Sequence, residues 1–148
     1  GQVAAALKEN SPELVEGAWE KGVVSNVQNS QVLSSLTRNI TSNKAKLATH
    51  ITVRAKKGQE ENLAEFLKSG ASLVEKTEPM TLLWYALRID HSTFVIYDVF
   101  ESSEGRNEHF NGQVAAALKA KSNELVEGGW ENGVLTHITH SSILSSAF

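Results

Sequence analysis

Charged and titratable residues interrupt three otherwise apolar stretches of this chain. LATHITVRA (47–55) carries His50 and Arg54, TLLWYALR (81–88) ends in Arg88, and TFVIYDVF (93–100) holds Asp98. His109 follows in GRNEHF (105–110), and Trp84, Phe94 and Phe100 are interleaved with the polar set. Groups of these types can move a proton near neutral pH, hold an anion and stack on a planar ring. Each also has an ordinary use. Arg88 and Asp98 on neighbouring strands would form a cross-strand ion pair, Trp84 would fill a core, and Arg54 would reach solvent from a strand end. Other chemistries find no support. There is no phosphate-binding glycine loop, no HExxH pair, no Gly-x-Ser-x-Gly elbow and no cysteine. His137 and His140, three apart on a predicted strand, fall on opposite faces, so no metal site is expected from them.

The elements that must hold these residues can be read from periodicity. Leu47, Thr49, Ile51 and Val53 alternate with His50, Thr52 and Arg54, which predicts a strand. NLAEFLKSGASLVEKT (62–77) spaces Leu63, Phe66, Leu67, Leu73 and Val74 as a helix does, and Glu78-Pro79 ends it. MTLLWYALRI (80–89) and TFVIYDVF, parted by a short polar turn, predict an antiparallel hairpin. After a loop and helix start at 101–110, NGQVAAALKAKSNELV (111–126) is a second helix. GVLTHITH (133–140) is a fourth strand, with SSILSSAF (141–148) continuing it or trailing from it. The order β-α-β-β-α-β is the ferredoxin-like arrangement, an α+β fold with both helices on one face of an antiparallel sheet. We assign Thr49, Ile51, Val53, Leu83, Tyr85, Leu87, Val95, Tyr97 and Val99 to the helix-covered face. The bare face then holds His50, Thr52 and Arg54; Leu82, Trp84, Ala86 and Arg88; Phe94, Ile96, Asp98 and Phe100. Such a mixture suits a sheet that packs on another sheet around a partly polar cavity.

GQVAAALK occurs twice, at 1–8 and at 112–119. With a shift of 111 positions, 22 of the 37 pairs from Gly1 to Thr37 are identical. The chain therefore carries one whole unit, 47–148, preceded by the back third of another, 1–37, with a polar linker at 38–46. The partial copy is expected to supply a helix (Val3–Lys8, with a further turn near Glu13–Val15) and a strand (Gly22–Gln28). These cannot bury a core alone and must join the sheet of the whole unit or of another chain. Gly1 stands at the head of a helical pattern, which reads as a piece of a longer tandem protein.

The formal net charge is −3, from 14 Lys+Arg against 17 Asp+Glu. No basic stripe suggests nucleic acid, no Lys/Arg run suggests a membrane surface, and no apolar run approaches transmembrane length. A cytoplasmic protein with neither nucleic-acid nor membrane partner is the expectation.

The stretch WYALRIDHSTFVIYDVFESSEGRNEHFNGQVAAALKAKSNELV (84–126) resembles the antibiotic biosynthesis monooxygenase family of dimeric α+β barrels, and within it the partly tandem, quinol monooxygenase-like subgroup. The resemblance covers about residues 47 to 148, and the first 36 residues match the family's C-terminal third. It implies two sheets packed face to face as a dimeric barrel, the last strand of each unit reaching across, and hence a homo-oligomer or strand-swapped dimer. It also implies oxidation of a quinol- or polyketide-like aromatic by molecular oxygen with no cofactor, neither metal nor flavin. In such chemistry His109 or His50 would be the base, and Arg88 and Arg54 would stabilise the substrate anion. Trp84, Phe94 and Phe100 would sandwich the ring, and Asp98 would orient a His or pair with an Arg. The haem-degrading branch carries an Asn on the first strand, where His50, Thr52 and Arg54 stand here, so haem degradation is disfavoured. The alternative is a non-catalytic module of the same fold that binds a small hydrophobic ligand or serves assembly, with its cavity filled by side chains.

Overall fold

The computed structural model of the chain describes residues 1–39 and 41–147, the side chain of Ser42 apart. The predicted linker thus lies outside the described residues at Ile40, and the predicted C-terminal segment at Phe148. Among the described residues four α-helices and five strands follow one another: α1 (Gln2–Leu14), β1 (Gln31–Thr37), β2 (Leu47–Arg54), α2 (Glu60–Thr77), β3 (Thr81–Arg88), β4 (Thr93–Phe100), α3 (Ser103–Phe110), α4 (Gln113–Leu125) and β5 (Ile138–Ser142). The strands form one sheet in the order β1-β3-β4-β2-β5, antiparallel throughout. The last four are the ferredoxin-like unit, and β1 widens its sheet along the free edge of β3.

α2 starts with Glu60 and Glu61 and has Lys76 in its last turn, charges placed to suit the helix dipole. It buries Leu63, Ala64, Leu67 and Val74. With Leu118 and Leu125 of α4, these pack on Ile51, Val53, Trp84, Ala86, Phe94 and Ile96 of the sheet.

That packing corrects the predicted faces. Ile51 lies opposite Ile96, and Ile96 opposite Ala86; Thr49 lies opposite Asp98, and Asp98 opposite Trp84. Directly opposed residues share a face. Trp84, Ala86, Phe94, Ile96, Asp98 and Phe100 are therefore on the helix side with Thr49, Ile51 and Val53. Leu83, Tyr85, Leu87, Val95, Tyr97 and Val99 share the other side with His50 and Thr52. The assignment fails for β3 and β4 because both of their faces are apolar, so alternation there has no contrast.

Two strand positions also need correction. Residues 18–26 and 129–137 coil as a π-helical turn followed by a 3-10 turn, instead of running as strand from Gly22 and Gly133. Gly17 and Gly128 begin the coil in the left-handed region, at φ +79° and +80°, which glycine adopts without strain. Gly22 and Gly133 then come so close that a Cβ would sit 2.1 Å from the carbonyls of Glu16 and Glu127. The first copy's strand is β1, later than Gly22–Gln28. The predicted second helix is preceded by a separate helix, α3, whose N-terminus Ser102 caps through its hydroxyl to the N–H of Gly105 (3.3 Å).

Candidate functional site

Four buried polar residues converge between the sheet and the helices. Asp98 comes from β4, His109 from the last turn of α3, Thr81 from the first residue of β3, and Glu78 from the end of α2. Pro79 cannot continue the helix, so the chain leaves α2 at Glu78 with the carboxylate turned inward. Residue Leu82 is a bulge: Thr81 faces Phe100 and Leu83 faces Val99. The extra residue lets Thr81 remain on the helix side with Trp84.

His109 bridges the two carboxylates. Its Nδ1 is hydrogen-bonded to Glu78 Oε2, and its Nε2 lies 3.5 Å from Asp98 Oδ2. The Thr81 hydroxyl donates to Glu78 Oε2 (3.3 Å), and the N–H of Val114 to Glu78 Oε1 (3.4 Å). Val114 is in the first turn of α4, whose N-terminal dipole supports the carboxylate charge. Gly112 permits this approach, since a Cβ there would sit 2.7 Å from Glu78 Oε1. Phe100 and Phe110 wall the imidazole, with ring centroids 5.5 and 5.6 Å away.

Burial sets the electrostatics. It pushes the Asp98 carboxyl up to about 7; the nearby His109 cation works against this rise and Glu78 adds to it. Burial opposes the His109 cation, but Asp98 and Glu78 together outweigh it and hold the imidazole above its usual value. Both Asp98 carboxylate oxygens and the Trp84 indole N–H are buried without a hydrogen-bond partner among the described residues. They belong to residues directly opposed on β3 and β4. An acceptor pair and a donor left open at one place is what a bound polar group would satisfy.

Apolar surface adjoins this cluster. One narrow pocket lies between α2, α4 and the sheet, lined by Phe66, Gly70, Leu73, Trp84 and Ile96 among others. A second, walled by His109, Phe110, Ile51 and Trp130, shares Ile96, Val114 and Leu118 with the first. Gly70 faces Trp84 so closely that a Cβ would be 2.4 Å from the indole Cη2.

Of the sequence candidates, the fold brings His109, Asp98, Trp84, Phe94 and Phe100 to the helix side. Arg88 shares that face but stands at its margin, and His50 and Arg54 lie apart. His50 is exposed on the opposite face, paired in register with Tyr97. Arg54 is exposed and pairs with Glu127 at 3.3 Å. Arg88 lies opposite Phe94 rather than Asp98, so the expected Arg88–Asp98 ion pair does not form. Its guanidinium instead grips Glu61 (2.7 and 3.3 Å) and lies 5.2 Å from the Phe94 ring centre. Glu78 and Thr81 were missed. The available signal was a carboxylate placed immediately before the proline that ends an amphipathic helix. Among the described residues no group of three or more His, Asp or Glu has the arrangement of a metal site, and no helix is long and apolar enough to cross a membrane.

Solved structures share this architecture. A candidate monooxygenase from Fusobacterium nucleatum superposes with a TM-score of 0.70 at 15% identity, over 96% of this chain and 59% of that one. An uncharacterized ferredoxin-fold protein related to antibiotic biosynthesis monooxygenases, from Listeria monocytogenes, gives 0.55 at 9% identity, over 90% and 70%. The fold is that of the antibiotic biosynthesis monooxygenase-like ferredoxin-fold proteins. A protein of unknown function from Nitrosomonas europaea is 36% identical, with a TM-score of 0.64, over 71% of this chain and 95% of its own. The chain belongs to the same family as that Nitrosomonas protein. No family model matches the sequence, and no curated protein is significantly similar to it.

Proposed function

We propose that the chain is a cofactor-independent monooxygenase that oxidises an acidic aromatic, of the quinol or anthrone type, with molecular oxygen. One observation carries the reading: a buried carboxylate that accepts no hydrogen bond, 3.5 Å from an imidazole and next to an apolar pocket, its pKa raised by burial towards neutrality. The monooxygenase naming of a fold neighbour agrees with it.

The substrate's acidic proton passes to the Asp98–His109 pair, which titrates as a unit. Burial has already brought Asp98 to a pKa suited to proton transfer at neutral pH. The His109 cation, steadied by Glu78, then offsets the negative charge of the substrate anion in a water-poor site. The electron-rich anion gives one electron to oxygen, and the resulting radical and superoxide combine as a peroxide. The pair returns its proton to the peroxide; the O–O bond then breaks as the same carbon gives up its second hydrogen as a proton, and the hydroxide released leaves with that proton as water. A CH2 group thus becomes a C=O while one oxygen atom of O2 leaves as water. Both pockets are narrow, so ring entry requires α4 to part from the sheet.

Oxygen uptake over a panel of anthrones and hydroquinones, without added cofactor, tests this. Wild type is expected to exceed the uncatalysed rate. Asp98→Asn and His109→Gln should each lower kcat by about 10²-fold or more, with unchanged circular dichroism. Arg88→Ala, outside the pocket, should keep kcat and lose only a little stability with its solvent-screened ion pair and ring contact. A ligand-holding module would bind the same compounds, measured by calorimetry, with no uptake.

A further inference from the structure

Arg38 directly follows β1. It precedes the unit that carries the site, yet its side chain is spent on that unit. Nε donates to the carbonyl of Thr81 (2.8 Å), and Nη2 to those of Glu78 (2.9 Å), Val74 (3.3 Å) and Glu75 (3.4 Å). Its own N–H donates to the Leu82 carbonyl (3.1 Å). Val74, Glu75 and Glu78 form the C-terminal end of α2; Val74 accepts from the Glu78 N–H (2.9 Å) and Glu78 from the Thr81 N–H (3.1 Å), while Pro79 has no N–H to offer the Glu75 carbonyl. A cation there also offsets the negative end of the helix dipole.

The geometry does more than cap a helix. Glu78 and Thr81 are the two ends of the tetrapeptide Glu78-Pro79-Met80-Thr81. Glu78 holds His109, and Thr81 gives its hydroxyl to Glu78. Arg38 clasps the carbonyls at both ends, and so fixes where the Glu78 side chain starts. A planar guanidinium spans them with separate nitrogens; a lysine has only one.

We infer that Arg38 is a positioning residue for the Glu78–His109–Asp98 array, so that the residue directly after β1 finishes the site of the unit that follows it. The inference rests on reading that array as the proton-transfer machinery. The charged groups acting on His109 are Asp98 from β4 and Glu78 from the α2–β3 link, and Arg38 works through the second of these.

The test is an NMR titration of the His109 imidazole in the full 148-residue chain, assigned by its loss in His109→Gln. Wild type is compared with Glu78→Gln, Arg38→Ala, Arg38→Lys and the double variant Arg38→Ala/Glu78→Gln. Glu78→Gln should lower the His109 pKa. Arg38→Ala should lower it in the same direction, and the double variant should add nothing beyond Glu78→Gln. Arg38→Lys should not restore the wild-type value, while guanidinium ion at sub-denaturing concentration should move Arg38→Ala back towards it. Should Arg38→Ala not fold, Arg38→Lys is read in its place. In oxygen uptake, Arg38→Ala should reduce kcat by about tenfold or more with little change in KM. An unchanged His109 titration in the Arg38 variants, with Glu78→Gln shifted, would reduce Arg38 to a helix cap and overturn the inference. An unshifted Glu78→Gln would overturn the array and Arg38's role together. Absence of turnover in wild type, with His109 still coupled to Arg38, would retire the oxygenase and leave the positioning role standing.

Discussion

At the scale of single residues, Asp98 governs how the molecule answers to pH. Its folded pKa, about 7, lies above its ordinary 3.8, so the folded state binds its proton more tightly than the unfolded chain does. That contribution to stability is complete below pH 3.8 and is lost as pH rises through about 7. His109 has the same sign, since its raised pKa favours the folded state at low pH and the gain fades as pH rises through the folded value. Between pH 4 and 8 Asp98 alone should withdraw on the order of 4 kcal/mol, and His109 acts in the same direction. Chemical denaturation of wild type against Asp98→Asn should show a decline that the variant largely lacks; parallel curves would refute the assignment. Asp98 was singled out in the sequence because a carboxylate inside TFVIYDVF demands a reason. Its direction was misread, since a charge suggested the uncovered side of the sheet. Glu78 passed unnoticed because its neighbour Pro79 accounted for the end of the helix.

At the scale of elements, the distance between α2 and the sheet depends on Gly70. The Trp84 ring lies where any β-carbon would be, so Gly70→Ala should push the indole or the helix aside. The expected cost is about 1–3 kcal/mol, together with loss of binding of any ring that uses the first pocket, read by calorimetry and tryptophan fluorescence. Unaltered stability and binding would show that the contact is slack. The strand β2 and the helix α2 were legible because their residues have contrast: polar against apolar, or 3.6-residue spacing ended by proline. The coils at 18–26 and 129–137 were not. Their Val, Leu and Thr content reads as strand, and the chain's course there is decided by paired glycines that must let backbone touch backbone.

At the scale of the molecule, the two copies meet different fates. α1 and α4 span equivalent residues and are followed by equivalent π and 3-10 turns. In the second copy Leu118 and Leu125 are 5% and 4% exposed; their counterparts Leu7 and Leu14 are 43% and 76% exposed. The repeat made this pairing visible in the sequence, but which sheet edge would receive the first copy's strand was not, because pairing between distant segments leaves no local periodicity. β1 takes the edge of β3 from Gln31↔Arg88 to Thr37↔Leu83.

That pairing is intramolecular. β1 and Arg38 are joined to the unit that holds the site by the chain from 39 to 46, and a short tether holds its two ends at an effective concentration in the millimolar range. A strand lent by a separate molecule would leave on dilution. Here the order of the site should be indifferent to protein concentration, so that specific activity and the His109 titration are the same at nanomolar and at micromolar protein. A fall in specific activity on dilution would show that a second molecule supplies part of the site.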